Sequence, residues 1–224
     1  TLIISPKPVT ISNSSRPSAA VNQMRQIILA SRSTTRREIL KQIGLKVTAV
    51  ASDVKEKRMT AQNCRRLVIS NALAKAQDVA KRFKSGIVIG ADTVVVAGKR
   101  VIGKPKNMAD ALETLRFLTR VPQLVYTGIA VVDIDNQKIY KDYGKTKVYM
   151  RRMTDSQIKS YFRQVSPLDK AGSYDIRGPG AVFVDRIEGC YYNVVGLPIA
   201  KLMVILEKIK QPRNYRDSVA TTQD

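Results

Sequence analysis

A chain of 224 residues with 39 Lys and Arg against 18 Asp and Glu carries a net charge of +21 and contains no histidine. That charge calls for an anionic partner such as a nucleotide, a polynucleotide or an acidic protein surface; the missing histidine excludes Ser-His-Asp and Cys-His catalysis and His-ligated metals, leaving acid-base work to carboxylates, Lys or Tyr. Cys64 and Cys190 form no CxxC pattern, which argues against structural zinc and for a reducing, cytoplasmic setting, and no apolar run reaches the ~18 residues of a membrane span.

Residues 1–24 are rich in Ser, Pro and Thr and lack a hydrophobic period, so they read as a basic, flexible extension resembling a transit peptide or a polyprotein-derived leader. A start at Thr1 is what proteolytic processing, or trimming of a longer sequence, would leave. Residues 25–210 form the folded unit, and 211–224 a polar tail.

Within that unit strands and helices alternate. Gln26 to Ala30 reads as a strand, Thr35 to Ile43 as a short helix stopped by Gly44, and Lys46 to Ala51 as a second strand. Met59 to Phe83 is a long helix with Cys64, Val68, Ala72, Ala76, Val79, Ala80 and Phe83 on one stripe. A buried strand from Ile87 to Val96 follows, then a turn at Gly98-Lys99, a short strand to Ile102, the loop Gly103 to Asn107 and a helix from Met108 to Leu118. Gln123 to Ile134 and Lys138 to Met150 make a long hairpin about the polar turn Asp135-Asn136-Gln137. A helix at Thr154 to Gln164, a strand at Ala181 to Asp185 and a helix from Pro198 to Ile209 complete the chain. The mixture predicts an α/β fold, a two-lobed mixed sheet flanked by helices with a cleft between the lobes.

Asp92 interrupts the apolar run Ile87-Val88-Ile89-Gly90-Ala91 before Thr93-Val94-Val95-Val96. A carboxylate there needs a cation, a metal or hydrogen-bond donors, although an Asp capping a turn at a strand end fits the same letters. Three cationic features accompany it. Ser31-Arg32-Ser33-Thr34-Thr35-Arg36-Arg37 lies between a strand and a helix, with capping-box spacing from Thr35 to Glu38. Free N–H groups, hydroxyls and the Arg36 guanidinium would then converge as a phosphate site, or simply form a basic helix start. Lys75 borders the buried helical stripe, a usual place for a snorkelling lysine. Gly103-Lys104-Pro105-Lys106 is a cationic loop, and Glu56 an ordinary loop acid unless it approaches Asp92. Together, two carboxylates, several cations and a helix N-terminus are what Mg²⁺-dependent phosphoryl chemistry uses. There is no G-x-x-x-x-G-K-[ST] and no G-x-G-x-x-G, so P-loop and dinucleotide readings fall away.

The segment Leu29 to Leu40 resembles the N-terminal motif of the Maf proteins, and Gly90-Ala91-Asp92-Thr93-Val94-Val95, Gly103-Lys104-Pro105 and Asn193-Val194-Val195-Gly196-Leu197-Pro198 are similar to the later ones. The resemblance covers Gln26 to Ile209. It implies a two-lobed Maf/inosine triphosphate pyrophosphatase-like fold and a divalent cation, Mg²⁺ or Mn²⁺. It also implies a homodimer and house-cleaning hydrolysis of nucleoside triphosphates between the α and β phosphates, of the dTTP/UTP or the ITP/XTP type. By the same resemblance Asp92, Lys75 and Lys104 would be catalytic, with Asp92 and Glu56 toward the metal and Ser31, Arg36, Lys75, Thr93, Lys104 and Arg177 toward substrate. Thr34 and Thr35 replace the family's usual Pro and a frequent Arg, and Arg177 stands where a glutamine is typical. The alternative is a basic nucleic-acid or replicase-binding module on an inactive pyrophosphatase fold. Its RNA or polymerase contact would be carried by Lys7, Arg16 and Arg25 near one end and Lys208, Lys210, Arg213 and Arg216 near the other.

Overall fold

The computed structural model describes residues 25–57 and 61–210; the expected extension at 1–24, the tail at 211–224 and residues 58–60 lie outside them. A seven-stranded mixed sheet runs in the order β2-β1-β3-β5-β6-β7, with β4 paired to β3. Strand β1 (Ile27–Ala30) lies parallel to both β2 (Thr48–Val50) and β3 (Ile87–Ala97), a pairing that requires helical crossovers. Helix α1 (Thr34–Gln42) makes the first and α2 (Cys64–Ala80) the second. Beyond β3 the sheet is antiparallel, through β4 (Arg100–Ile102), β5 (Gln123–Asp133), β6 (Lys138–Met150) and β7 (Val184–Glu188).

Because strand residues alternate between faces, the central strands feed two cores. Leu29, Ile89, Ala91, Ile129 and Val131 pack with Ile39 and Leu40 of α1 and with Leu202, Ile205 and Leu206 of α6 (Ile199–Lys210). Ile28, Ala30, Val88 and Ala130 pack on the other side against Ala72, Ala76 and Val79 of α2. Leu29, Leu40, Ile89, Ile129 and Leu202 are fully buried; each contributes about 1.5–3 kcal/mol relative to an exposed side chain. A further cluster forms the second lobe, where Leu115 and Leu118 of α3 (Met108–Leu118) meet Ile158 and Tyr161 of α4 (Asp155–Gln164), Tyr174 and Phe183.

Helix α2 lies unusually close to the sheet because two glycines admit it. A Cβ on Gly90 would fall 2.1 Å from the Ala72 carbonyl oxygen, and one on Gly128 2.4 Å from that of Val68. This approach sets the height of every α2 side chain above β3.

The structure departs from the sequence reading at several points. Helix α1 is capped by Ser33, whose hydroxyl accepts the Arg36 N–H at 3.3 Å, so the Thr35–Glu38 capping box does not form. Helix α2 begins at Cys64 after a turn, and Met59 lies outside the described residues. The expected strand at Ala181 to Asp185 is instead a 3₁₀ helix, Pro179–Phe183, with β7 starting only at Val184. Pro179 pre-sets the first helical φ, and the turn buries Phe183 edge-on against Tyr161 with ring centroids 4.8 Å apart. A short helix α5 (Tyr191–Val195) stands within the Asn193 to Pro198 motif and ends at Gly196, whose φ of +115° suits only glycine. Arg25 is no part of a free basic arm, since it is ion-paired to buried Asp133 and to Asp135 at the hairpin turn.

Candidate active site

A cleft of about 1010 Å³ opens beyond the C-terminal end of β1, the place where open α/β sheets bind ligands. Ser31, Arg36, Glu56, Lys75, Asp92, Thr93, Lys104 and Arg177 all line it, so every site residue expected from sequence is brought to one cavity.

Asp92 sits on β3 and is only 4% exposed. Its Oδ1 accepts from Lys75 Nζ at 2.8 Å and its Oδ2 from the side-chain amide of Asn71 at 3.0 Å. Both donors project from α2 one turn apart, so the close approach at Gly90 and Gly128 delivers them together. Lys75 does not snorkel to solvent. Its ammonium bridges Asp92 and Glu56 Oε1, the latter at 2.6 Å, and Glu56 remains half exposed at the cleft wall. A carboxylate buried in an apolar strand is tolerable only with such company.

Asn71 is the residue that sequence reasoning missed. It also accepts the Lys57 N–H at 3.2 Å and donates to the Lys57 carbonyl at 3.4 Å, fastening the Glu56 loop over the acid. Its signal is its place on the buried stripe one turn before Lys75, where an amide needs partners.

Arg36 reaches inward from the first turn of α1. It donates to the carbonyls of Gly196 at 2.8 Å and Ala91 at 3.0 Å, to Thr93 Oγ1 at 2.8 Å and to Ser31 Oγ at 3.3 Å. Burial pulls its guanidinium below the ordinary arginine value, and the nearby charges of Asp92 and Glu56 oppose that. Thr93 continues the network to Thr127 at 3.0 Å, which donates to the Asn193 carbonyl at 2.9 Å. The N-terminal motif, the Asp92 strand and the Asn193 to Pro198 motif are thereby joined through Arg36.

The opposite wall carries Lys104 on the loop after β4, exposed at the mouth, and Lys170 beside Asp169. Arg177 is held by Asp175 at 2.7 Å and by Glu38 of α1 at 3.1 Å, so it spans the cleft as a strut. The Asp175 hydrogen bond raises the Arg177 guanidinium above its ordinary value. Among the described residues no group of three or more His, Cys, Asp or Glu gathers as a metal cage. The Asp92–Glu56 pair nonetheless fits Mg²⁺, which is usually held by one or two carboxylates plus substrate phosphates.

Cations on facing walls, a helix N-terminus below and a paired acid at the floor suit an anion bearing several charges and a bond to be attacked. The fold and site thus define an α/β protein whose cleft suits a phosphate-bearing polyanion. Relatives narrow that class. The family described as Maf-like protein matches residues 26–209, and the chain belongs to the Maf family. A dTTP/UTP pyrophosphatase of Methanosarcina barkeri (strain Fusaro / DSM 804) is 44% identical over 186 residues, 83% of this chain and 94% of the relative. Another from Alkaliphilus metalliredigens (strain QYMF) is 45% identical over 186 residues, covering 83% and 96%. A third, from Methanococcoides burtonii, is 42% identical over 187 residues, again covering 83% and 96%.

Proposed function

We propose that the protein is a nucleoside triphosphate pyrophosphatase of the dTTP/UTP type, converting triphosphate and water to monophosphate and diphosphate. The observation that carries this reading is Asp92 paired with Lys75, and through it with Glu56, in a cleft lined by cations. Asp92 orients the attacking water and accepts its proton. Lys75 and Lys104 neutralise charge on the phosphates, and the N–H groups at the start of α1 with Ser31 receive a phosphate oxygen. Arg36, whose donors are largely committed to protein carbonyls and hydroxyls, acts toward substrate by holding Ser31 and Thr93 in place. Arg177 limits the cleft through Glu38 and contacts the nucleotide from that side. A divalent cation, Mg²⁺ or Mn²⁺, held by Asp92 and Glu56, would supply charge neutralisation at the scissile phosphoanhydride. Family resemblance supports a homodimer, and the small number of cysteines, two in 224 residues, suits a cytoplasmic setting.

The base preference rests on relatives named dTTP/UTP pyrophosphatase at 41–45% identity. An inactive, nucleic-acid-binding version of the fold is not favoured, because the acid, its lysine and its second carboxylate are assembled in contact.

The test is diphosphate release across a nucleotide panel with Mg²⁺ or Mn²⁺. We expect dTTP and UTP to lead, and Asp92→Asn to lose about 10²–10⁴-fold in rate with the fold intact. A parent chain that turns over no triphosphate overturns the activity; preference for ITP or XTP overturns the base assignment.

A further inference from the structure

Most of the +21 charge is not needed for one triphosphate, and it does not reside in the ends of the chain. Residues 1–24 and 211–224 hold only four of the 39 cations, Lys7, Arg16, Arg213 and Arg216. The folded body carries nearly all the excess.

One face of the sheet collects it with aromatic rings. Along β6 the positions Tyr143, Lys145, Lys147 and Tyr149 are spaced by two, so they share a face at intervals of about 6.8 Å. Tyr126 of β5 lies opposite Lys145 in the register, and Arg186 of β7 opposite Tyr149. Each ring carries a cation: Arg65 of α2 lies 4.5 Å from the Tyr143 centroid, Lys145 5.9 Å from Tyr126, and Lys147 and Arg186 4.7 and 3.7 Å from Tyr149. Arg186 is partly neutralised by Asp185 and Glu188, whereas Arg65 and Lys145 have no ion-pair partner among the described residues. None of these side chains lines the catalytic cleft. The stripe also borders an open edge, because β7 pairs only with the last residues of β6.

We propose that this face binds single-stranded nucleic acid, independently of hydrolysis in the cleft. Cations flanked by rings at strand spacing meet the two repeating elements of a single strand, its phosphates and its unstacked bases. A duplex offers phosphates but keeps its bases stacked inward, and an acidic peptide offers charge but nothing flat for the tyrosines. The chemistry of the stripe therefore selects the single strand.

Fluorescence anisotropy with a labelled oligothymidylate, read against salt, tests this on the full chain. We expect sequence-tolerant binding at ~50 mM salt that weakens steeply as salt rises. Lys145→Ala with Lys147→Ala removes two phosphate contacts and should flatten the slope of log affinity against log salt by about 1.4, at about 0.7 per contact. Tyr143→Ala with Tyr149→Ala should weaken binding about 5-fold or more while leaving that slope unchanged. Both variants should melt like the parent and hydrolyse dTTP within about twofold of it. Failure of the parent to bind overturns the proposal, as does binding of duplex DNA or heparin as tight as that of the oligonucleotide. Loss of binding only when residues 1–24 and 211–224 are deleted, with both stripe variants unaffected, also overturns it.

Discussion

The Asn71 side-chain amide donates to Asp92 Oδ2 at 3.0 Å from the same helix that sends Lys75 to Oδ1 at 2.8 Å. One helix therefore fixes both oxygens of the buried acid, and Asn71 also ties down the backbone of the loop bearing Glu56. Replacing Asn71 with Leu keeps the branched skeleton of the side chain and removes a hydrogen bond to a charged group, a loss of about 1.5–3 kcal/mol or roughly 10–150-fold. We expect most of it in kcat, because the acid that activates water is misoriented while the phosphate-binding cations stay. Steady-state kinetics with dTTP check this; a change confined to KM would refute it.

Arg36 joins three segments distant in sequence through carbonyl and hydroxyl acceptors, so its role is to hold the cleft together and not to bind phosphate itself. Arg36→Ala should cost about 3 kcal/mol of stability by stranding those acceptors, lowering Tm by roughly 6–12 °C, and should abolish most activity. A melting curve matching the parent would return Arg36 to a purely ligand-binding role. Lys104→Ala, on an exposed loop, should weaken hydrolysis with little change in Tm.

Gly90→Ala places a methyl group 2.1 Å from the Ala72 carbonyl oxygen and 2.9 Å from the Ala76 nitrogen. Helix α2 must then lift from the sheet, carrying Lys75 and Asn71 with it. Overpacking of this kind costs about 1–3 kcal/mol, and a displacement of order 1 Å at reacting groups lowers rates by ~10²-fold. Gly178→Ala, with no atom within 4 Å of the added carbon, is the stability control. Equal melting temperatures for the two variants would contradict the close-approach argument.

Burial raises the Asp133 carboxyl, but hydrogen bonds from Arg25 and Asn136 outweigh it and hold the group below the ordinary carboxylate value. A folded-state value below the unfolded one stabilises the protein above the unfolded pKa of about 3.9, and that stabilisation is lost as pH falls through the folded value. Arg25→Gln should therefore lower Tm most near pH 6–7, with the gap to the parent closing below about pH 4. Thermal melts from pH 7 to 2.5 decide it; a gap independent of pH would show that Arg25 does not act through Asp133.

Much of this molecule is legible in its sequence because apolar periodicity and isolated charges are local signals. The alternating elements, the long hairpin and the mixed sheet follow from patterning, and Asp92 announces itself as a carboxylate in a run that should be wholly apolar. The motifs then place Ser31, Arg36, Glu56, Lys75, Lys104 and Arg177 around it. Other features depend on three-dimensional packing. Ser33 and Thr35 are equally able to cap a helix, and only the direction in which β1 releases the chain selects Ser33. Ala181 to Phe183 reads as the start of a strand, yet it coils within the 3₁₀ helix Pro179–Phe183, which sets Phe183 against Tyr161. Apart from Ser31, the partners of the Asn71 and Arg36 side chains and the Arg177–Glu38 strut lie 14 to 160 residues apart in sequence. Sheet register and the approach of α2 at Gly90 and Gly128 determine which of these polar groups meet, because a hydrogen bond needs its atoms within about 3 Å, a condition no local pattern encodes.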